Sequence, residues 1–84
     1  MGTTRDEIRE WLERGKAQGA THMIVACDTF NHEDYPVYVM PGDDVRKMRD
    51  EHSDPDKMSR VMEIYSYALD LEQQLAVHRA YNLD

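Results

Sequence analysis

Apolar residues recur along this chain with two different spacings, and the change of spacing divides it into segments. Near the N-terminus, Ile8 and Leu12 stand four positions apart among charged residues, which is the spacing of one helix face. Thr4 and Glu7 fit a capping box at the start of this segment, and Gly19 suits a left-handed cap at its end. The segment is therefore predicted to be an amphipathic helix.

The next two segments are predicted to be strands. In THMIVACDTF, Met23 and Val25 would face one side while Ile24 and Ala26 face the other. A second strand is predicted over YPVYVM, where Pro36 cannot donate to a ladder and so belongs at the strand start or on a sheet edge. Because only the short loop TFNHED separates the two strands, we expect an antiparallel hairpin.

The remaining half of the chain is predicted to be helical. Asp43 can cap a short helix in PGDDVRKMRDEH, and Asp54 with Pro55 is typical of a second helix start. No Gly or Pro interrupts the chain from there to about Tyr81. The predicted fold is one α+β domain over residues 1–84, in the order α-β-β-α-α. Its two-stranded antiparallel hairpin would pack under a long C-terminal helix.

The predicted last helix carries two apolar stripes, and so small a chain has few elements to cover both. One stripe can cover the hairpin, and a two-stranded sheet is marginal by itself. We therefore expect a homo-oligomer, with the alternative that a single wide stripe wedges between the hairpin and the first helix. The expected interface is the second stripe, which consists of Ile64, Tyr67, Leu71 and Leu75.

Charge narrows the classes of partner. The net charge is -7, and residues 28–56 alone hold nine acidic and three basic side chains. Binding to DNA or RNA requires several Lys or Arg on phosphates, so a polynucleotide partner is not expected. A small anionic ligand needs only a few local donors and stays possible.

Composition predicts a soluble, cytoplasmic protein. Cys27 is the only cysteine, so no disulfide can form within the chain, which fits a reducing compartment. The longest apolar run, residues 23–27, is too short to span a membrane, and the N-terminus has no secretory-signal pattern. Alternation points Cys27 inward with Met23 and Val25, where a thiol is unreactive.

The stretch CDTFNHEDYPVYVM, residues 27–40, concentrates the polar chemistry of the chain. Its spacing matches no zinc or calcium signature, because Pro36 stands where an H-E-x-x-H motif needs its second histidine. Two neighbouring loop carboxylates seldom hold the geometry of an acid/base pair. We therefore predict no metal, no cofactor and no catalytic residue, and keep a small enzyme only as a minor alternative. The potential metal donors weighed here are Asp28, His32, Glu33 and Asp34.

The same stretch offers groups for a small ligand, although the chain has no glycine-rich phosphate loop. Aromatic rings can stack a base, carboxylates can accept from base amino groups, and basic residues near a helix start can meet a phosphate. The alternative is that the aromatics belong to the core or its rim and the basic residues to a solvated face. The predicted ligand-binding residues are Thr29, Phe30, His32, Glu33, Asp34, Tyr35, Tyr38, Lys57 and Arg60.

Two blocks, ATHMIVACDTFNHEDYPVYV and MSRVMEIYSYALDLEQQLAVHRAYN, resemble a family of small proteins of tailed phages and prophages. That family is similar to the phage sponges that act against the CBASS defence. The resemblance implies a cytoplasmic immune-evasion protein, in the host cell if phage-encoded. It would sequester a cyclic dinucleotide such as cGAMP without hydrolysing it. The alternative is a small protein-binding module that inhibits or modulates a host factor through the second stripe.

Overall fold

The computed structural model describes residues 3–77 and 79–84, which build three helices, three strands and one short 3-10 turn. The predicted α+β class is confirmed, but the order is α-β-β-α-β-α instead of the predicted α-β-β-α-α, and the sheet has three strands instead of two. The elements are α1 (Arg5–Gln18), β1 (His22–Asp28), β2 (Glu33–Val39), α2 (Val45–Glu51), the 3-10 turn (Pro55–Lys57), β3 (Ser59–Ser66) and α3 (Leu71–Ala76).

The three strands form one antiparallel sheet in the order β2-β1-β3. The predicted β1–β2 hairpin is confirmed, and β3 lies on the other side of β1. At Ile64 the outer edge of β3 pairs with the C-terminal segment, defined as residues 79–84. There Ile64 N donates to Ala80 O at 2.9 Å, and Asn82 N donates to Ile64 O at 3.0 Å.

Both faces of the sheet are buried, which fixes the layers of the fold. Helices α1 and α3 cover one face, and α2 with Leu83 covers the other. Alternation along β1 supplies Met23 and Val25 to the first face and Ile24 to the second, as predicted. The buried residues of the first layer are Ile8, Leu12, Met23, Val25, Tyr65, Leu75 and Ala80, and those of the second are Ile24, Val39, Val45 and Ile64.

The helix starts follow from side-chain caps. Thr4 Oγ1 accepts from Glu7 N at 3.2 Å, and Gly19 ends α1 with a φ of 80°, as the sequence predicted. The cap of α2 is Asp44 rather than Asp43, because the Asp44 carboxylate accepts from the second and third amides of the helix, those of Arg46 and Lys47.

The predicted long C-terminal helix is wrong. Asp54 and Pro55 do start a helical turn, but it is a 3-10 turn of three residues. Met58 then adopts a left-handed conformation with a φ of 54°, which turns the chain into β3. A further helix begins only after Asp70, whose carboxylate caps it, and ends at Ala76.

A β-bulge explains why the sequence pattern of β3 is misleading. Val25 lies opposite Glu63 while Ala26 lies opposite Val61, so Met62 is an extra residue. The bulge puts Val61 in the layer of α2 and Met62 in the layer of α1. The resulting apolar spacing, with adjacent pairs instead of strict alternation, imitates a wide helical stripe.

The predicted interface stripe does not exist as one helical face, because its members lie on β3, on α3 and on the loop between them. Ile64 is fully buried, and Leu75 is 7% exposed within this single chain. Leu71 packs against the core cluster of α1, and Tyr67 donates to the Leu12 carbonyl of that helix at 2.7 Å. The homo-oligomer stays a prediction, now without the exposed stripe that motivated it.

Candidate functional site

The β1–β2 turn and the turn before β3 meet at one end of the sheet. Thr29 N donates to Met58 O at 2.9 Å and joins the two turns. Asp28 Oδ1 accepts from Phe30 N at 2.8 Å, which fixes the first turn. His32 closes that turn with a φ of 60°. This end of the molecule is therefore held by main-chain and Asx-type hydrogen bonds.

A pocket of about 340 Å³ opens between these turns and is here called the hairpin-end pocket. It combines three hydroxyl groups, one guanidinium and two apolar side chains. Hydroxyls can donate or accept, and a guanidinium presents several fixed donors, so this set suits an anionic oxygen group. The lining residues are Thr29, Ser53, Pro55, Ser59, Arg60 and Val61.

Arg60 gives the pocket its positive charge. Within residues 3–77 and 79–84, its guanidinium forms no ion pair or hydrogen bond with another side chain or with the backbone. It is exposed on β3 opposite Cys27, at the position next to Ser59. The guanidinium donors are thus open to a ligand without the loss of an existing contact.

Two large apolar side chains stand exposed beside the hydroxyls of the pocket. Phe30 is 77% exposed and follows Thr29 in the same turn. Met58 is 49% exposed and precedes Ser59 in the other turn. Exposed apolar groups next to anion donors can cover the planar, apolar part of a ligand whose charged part occupies the pocket.

The predicted ligand-binding residues do not form one site. Strand β2 sends neighbouring side chains to opposite faces, so Asp34 and Tyr35 separate. Asp34 accepts from Thr3 Oγ1 at 2.7 Å, and the Tyr35 hydroxyl lies 3.2 Å from His52 Nδ1. The predicted residues that line the hairpin-end pocket are Thr29 and Arg60, with Phe30 adjacent.

Three further predicted residues are exposed but do not line the pocket, namely His32, Glu33 and Lys57. Tyr38 is committed to packing on α1, where its hydroxyl donates to Trp11 O at 2.7 Å. This contact agrees with the alternative prediction that Tyr38 belongs to the core or its rim.

Sequence reasoning missed Ser53 and Ser59. Ser53 precedes Asp54, the cap of the 3-10 turn, and Ser59 opens β3 opposite Asp28. If residues 59–66 had been predicted as a strand antiparallel to β1, Ser59 would have been placed beside the hairpin turn. In an antiparallel pair the first residue of one strand lies next to the last residue of the other. No local signal in the sequence indicates a role for Ser53.

The four potential metal donors do not form a ligand cluster. The Asp28 carboxylate accepts from Phe30 N, and the Asp34 carboxylate accepts from Thr3 Oγ1. His32 and Glu33 are exposed. Among the residues that the structure describes, no group of three or more His, Cys, Asp or Glu could hold a metal ion.

Cys27 is half-buried near the hairpin end, and its thiol donates to Asp28 O at 3.6 Å. Burial, with the neighbouring Asp34 carboxylate, raises the pKa of this thiol. A raised pKa leaves little thiolate at neutral pH, so the side chain lacks the properties of a nucleophile.

A polar network is buried on the opposite side of the sheet, away from the hairpin-end pocket. The Glu63 carboxylate, only 8% exposed, accepts from Arg5 Nη1 at 3.1 Å and from the Tyr65 hydroxyl at 2.8 Å. Ala80 N also donates to it, at 3.3 Å. Burial and the bond to Glu63 raise the pKa of Tyr65. The network joins α1, β3 and the C-terminal segment, which is a structural role.

No known protein family, curated protein or solved structure matches this chain. Among the described residues, no helix has the length and apolar character needed to cross a lipid bilayer. The function is therefore inferred from the site and from the sequence pattern of the chain.

Proposed function

We propose that this protein is a non-catalytic binding protein that sequesters a phosphate-bearing small molecule, with a cyclic dinucleotide such as cGAMP as its ligand. The observation that carries the proposal is the hairpin-end pocket, which combines three hydroxyls with an uncommitted guanidinium, and exposed Phe30 follows its lining residue Thr29 in the chain. The resemblance to phage proteins that act against CBASS supports the choice of ligand.

The geometry divides the ligand between two kinds of contact. Arg60, Thr29 and Ser59 bind a phosphate group in the pocket, since guanidinium and hydroxyl donors favour anionic oxygens. Phe30 stacks on a base outside it. A pocket of about 340 Å³ lies at the small end of the range for ligand sites, so it holds one phosphate with its sugar rather than a whole dinucleotide.

The chemistry of the pocket favours binding without turnover. Its lining contains no carboxylate, imidazole or thiol that could act as a general base or nucleophile. Hydroxyls alone are weak nucleophiles without such a partner. The bound ligand is therefore expected to be released unchanged.

A thermal-shift screen with cyclic dinucleotides and linear nucleotides tests the proposal. A ligand that binds only the native state raises the melting temperature by mass action, and recovery of intact nucleotide after heating distinguishes a sponge from an enzyme. No shift with any phosphate-bearing compound would reject the proposal. A shift with loss of the nucleotide would indicate an enzyme instead.

A further inference from the structure

A second surface, remote from the hairpin end, lies between α3 and the C-terminal segment and is here called the outer groove. Its volume is about 510 Å³. Leu69, Val77 and Tyr81 line it and are 49%, 48% and 52% exposed. These are three of the five large hydrophobic side chains that the described residues expose, the others being Phe30 and Met58. Such clustering of exposed apolar residues marks an interaction surface.

The polar groups at the floor of the groove are already satisfied within the chain. Gln74 Oε1 accepts from Ser66 N and from Asn82 Nδ2, each at 2.8 Å. Gln74 Nε2 donates to Ser66 O at 2.9 Å. Gln73 and Arg79 also line the groove and are exposed, so one amide and one guanidinium accompany the apolar side chains.

The backbone beside the groove joins the sheet through one isolated bridge, and its other side is open. In the parallel bridge to Ile64, the groups that face β3 are the Ala80 carbonyl and the Asn82 amide. The N–H and C=O of Tyr81, which lies between them, therefore point away from the sheet, and neither forms a hydrogen bond among the described residues. An unpaired edge of this kind accepts another strand.

The opposite edge of the sheet is protected. Pro36 lies in the middle of β2, opposite Val25, and has no N–H to offer to an incoming strand. Strand addition is therefore directed to the C-terminal segment, where apolar side chains flank the free backbone groups.

We propose that the outer groove binds an extended segment of a partner protein, which adds a strand to Tyr81 and places alternate apolar side chains against Leu69 and Val77. Main-chain hydrogen bonds and side-chain pockets at alternate positions are the two parts of recognition by strand addition. This interaction is independent of the hairpin-end pocket.

The size of the surface indicates which occupant fits. A stable interface between globular chains needs about 20–30 residues a side, whereas nine residues line this groove. A second copy would also bring another net charge of -7. The charged side chains that line the groove are Asp70 and Arg79, one of each sign, so charge selects no partner. The partner segment is therefore short, and its alternate apolar residues define it.

Selection from a phage-displayed library of random twelve-residue peptides, performed on the full chain, tests this inference. Enriched peptides should alternate apolar residues and bind Val77→Glu at least tenfold more weakly than the wild type. The matched control Ala17→Glu, an exposed change of equal charge on α1, should bind normally. Two N-methylated forms of an enriched peptide, one modified at odd and one at even positions, block the N–H groups of opposite peptide edges. One form should lose binding and the other should keep it.

Several outcomes would overturn the inference. These are the absence of enriched peptides, equal binding to Val77→Glu and the wild type, or full binding by both N-methylated forms of the peptide. Sedimentation of the wild type and Val77→Glu provides an independent check. A wild-type dimer that dissociates in the variant would assign the groove to a second copy and contradict the partner peptide.

Discussion

Substitution of Gly15 by alanine tests the packing of α1 on the sheet. In the interior of a helix this change normally stabilises a protein by about 1 kcal/mol, because alanine restricts the unfolded chain and favours the helix. Here Gly15 is buried against two tyrosines of the sheet layer. A Cβ atom at this position would stand 2.7 Å from two ring carbons of Tyr38 and would also collide with the Tyr67 hydroxyl.

The collision should reverse the usual sign. Tyr38 and Tyr67 donate to the Trp11 and Leu12 carbonyls of α1, each at 2.7 Å, and those bonds hold the rings in place. Overpacking of this kind costs about 1–3 kcal/mol, and each weakened buried hydrogen bond about 1 kcal/mol more. After the helix preference of about 1 kcal/mol is subtracted, we expect Gly15→Ala to lower the free energy of unfolding by about 2–4 kcal/mol.

Urea unfolding followed by circular dichroism measures this difference. Gln18→Ala, at an exposed position of the same helix, is the control and should change stability by less than about 0.5 kcal/mol. In a Tyr67→Phe background the effect of Gly15→Ala should shrink, because one colliding atom is gone. A neutral or stabilising Gly15→Ala in the wild type would show that α1 and the sheet do not approach as described.

Two further changes test the interior. Glu63→Gln should lower the free energy of unfolding by about 1–3 kcal/mol, since it weakens charge-assisted bonds from Arg5 at a nearly buried site, and urea unfolding at pH 7 measures it. Burial raises the pKa of the Tyr67 hydroxyl above its value of about 10 in the unfolded chain. The contribution of Tyr67 to the free energy of unfolding is therefore complete below about pH 10 and declines as the pH rises above that value. Tyr67→Phe should therefore lower stability at pH 7 yet reduce its decline above about pH 10, and parallel decline in both proteins would contradict this assignment.

The first half of the fold was predictable from sequence because its signals are local. Thr4 starts α1 and Gly19 ends it through contacts within a few residues. In β1 the side chains of Met23, Ile24 and Val25 alternate between the two faces of the sheet. Pro36 correctly indicated an edge strand. In these segments propensity, periodicity and turn chemistry agree, so the pattern alone determines the element.

The second half was not predictable by the same means. The bulge at Met62 breaks the alternation of β3, and both faces of its second half are buried, so its apolar pattern resembles a helix. The 3-10 turn before β3 ends at Met58 in the left-handed conformation, which methionine seldom adopts and which its presence in the sequence therefore does not predict. Asp70, which caps α3, was the one local sign that a new helix starts there.

Part of the candidate site was likewise not predictable from local sequence patterns. Thr29 and Phe30 were identified because they stand in a recognisable hairpin turn. Arg60 was also identified, but on a helix that does not exist. Its neighbour Ser59 depended on the long-range pairing of β3 with β1, which a local pattern does not contain. The prediction of Tyr38 as a ligand contact overlooked that its face of β2 packs against α1.

The most direct test of the proposed function is calorimetric titration of cyclic dinucleotides into the wild type, Arg60→Gln and Arg46→Gln. Both variants lose one positive charge, but Arg46 lies on α2 and does not line the hairpin-end pocket. We expect saturable binding to the wild type and to Arg46→Gln, and at least tenfold weaker binding to Arg60→Gln because a charge-assisted contact of about 1.5–3 kcal/mol is lost. Equal affinity of Arg60→Gln and the wild type, or no binding to either, would contradict the account.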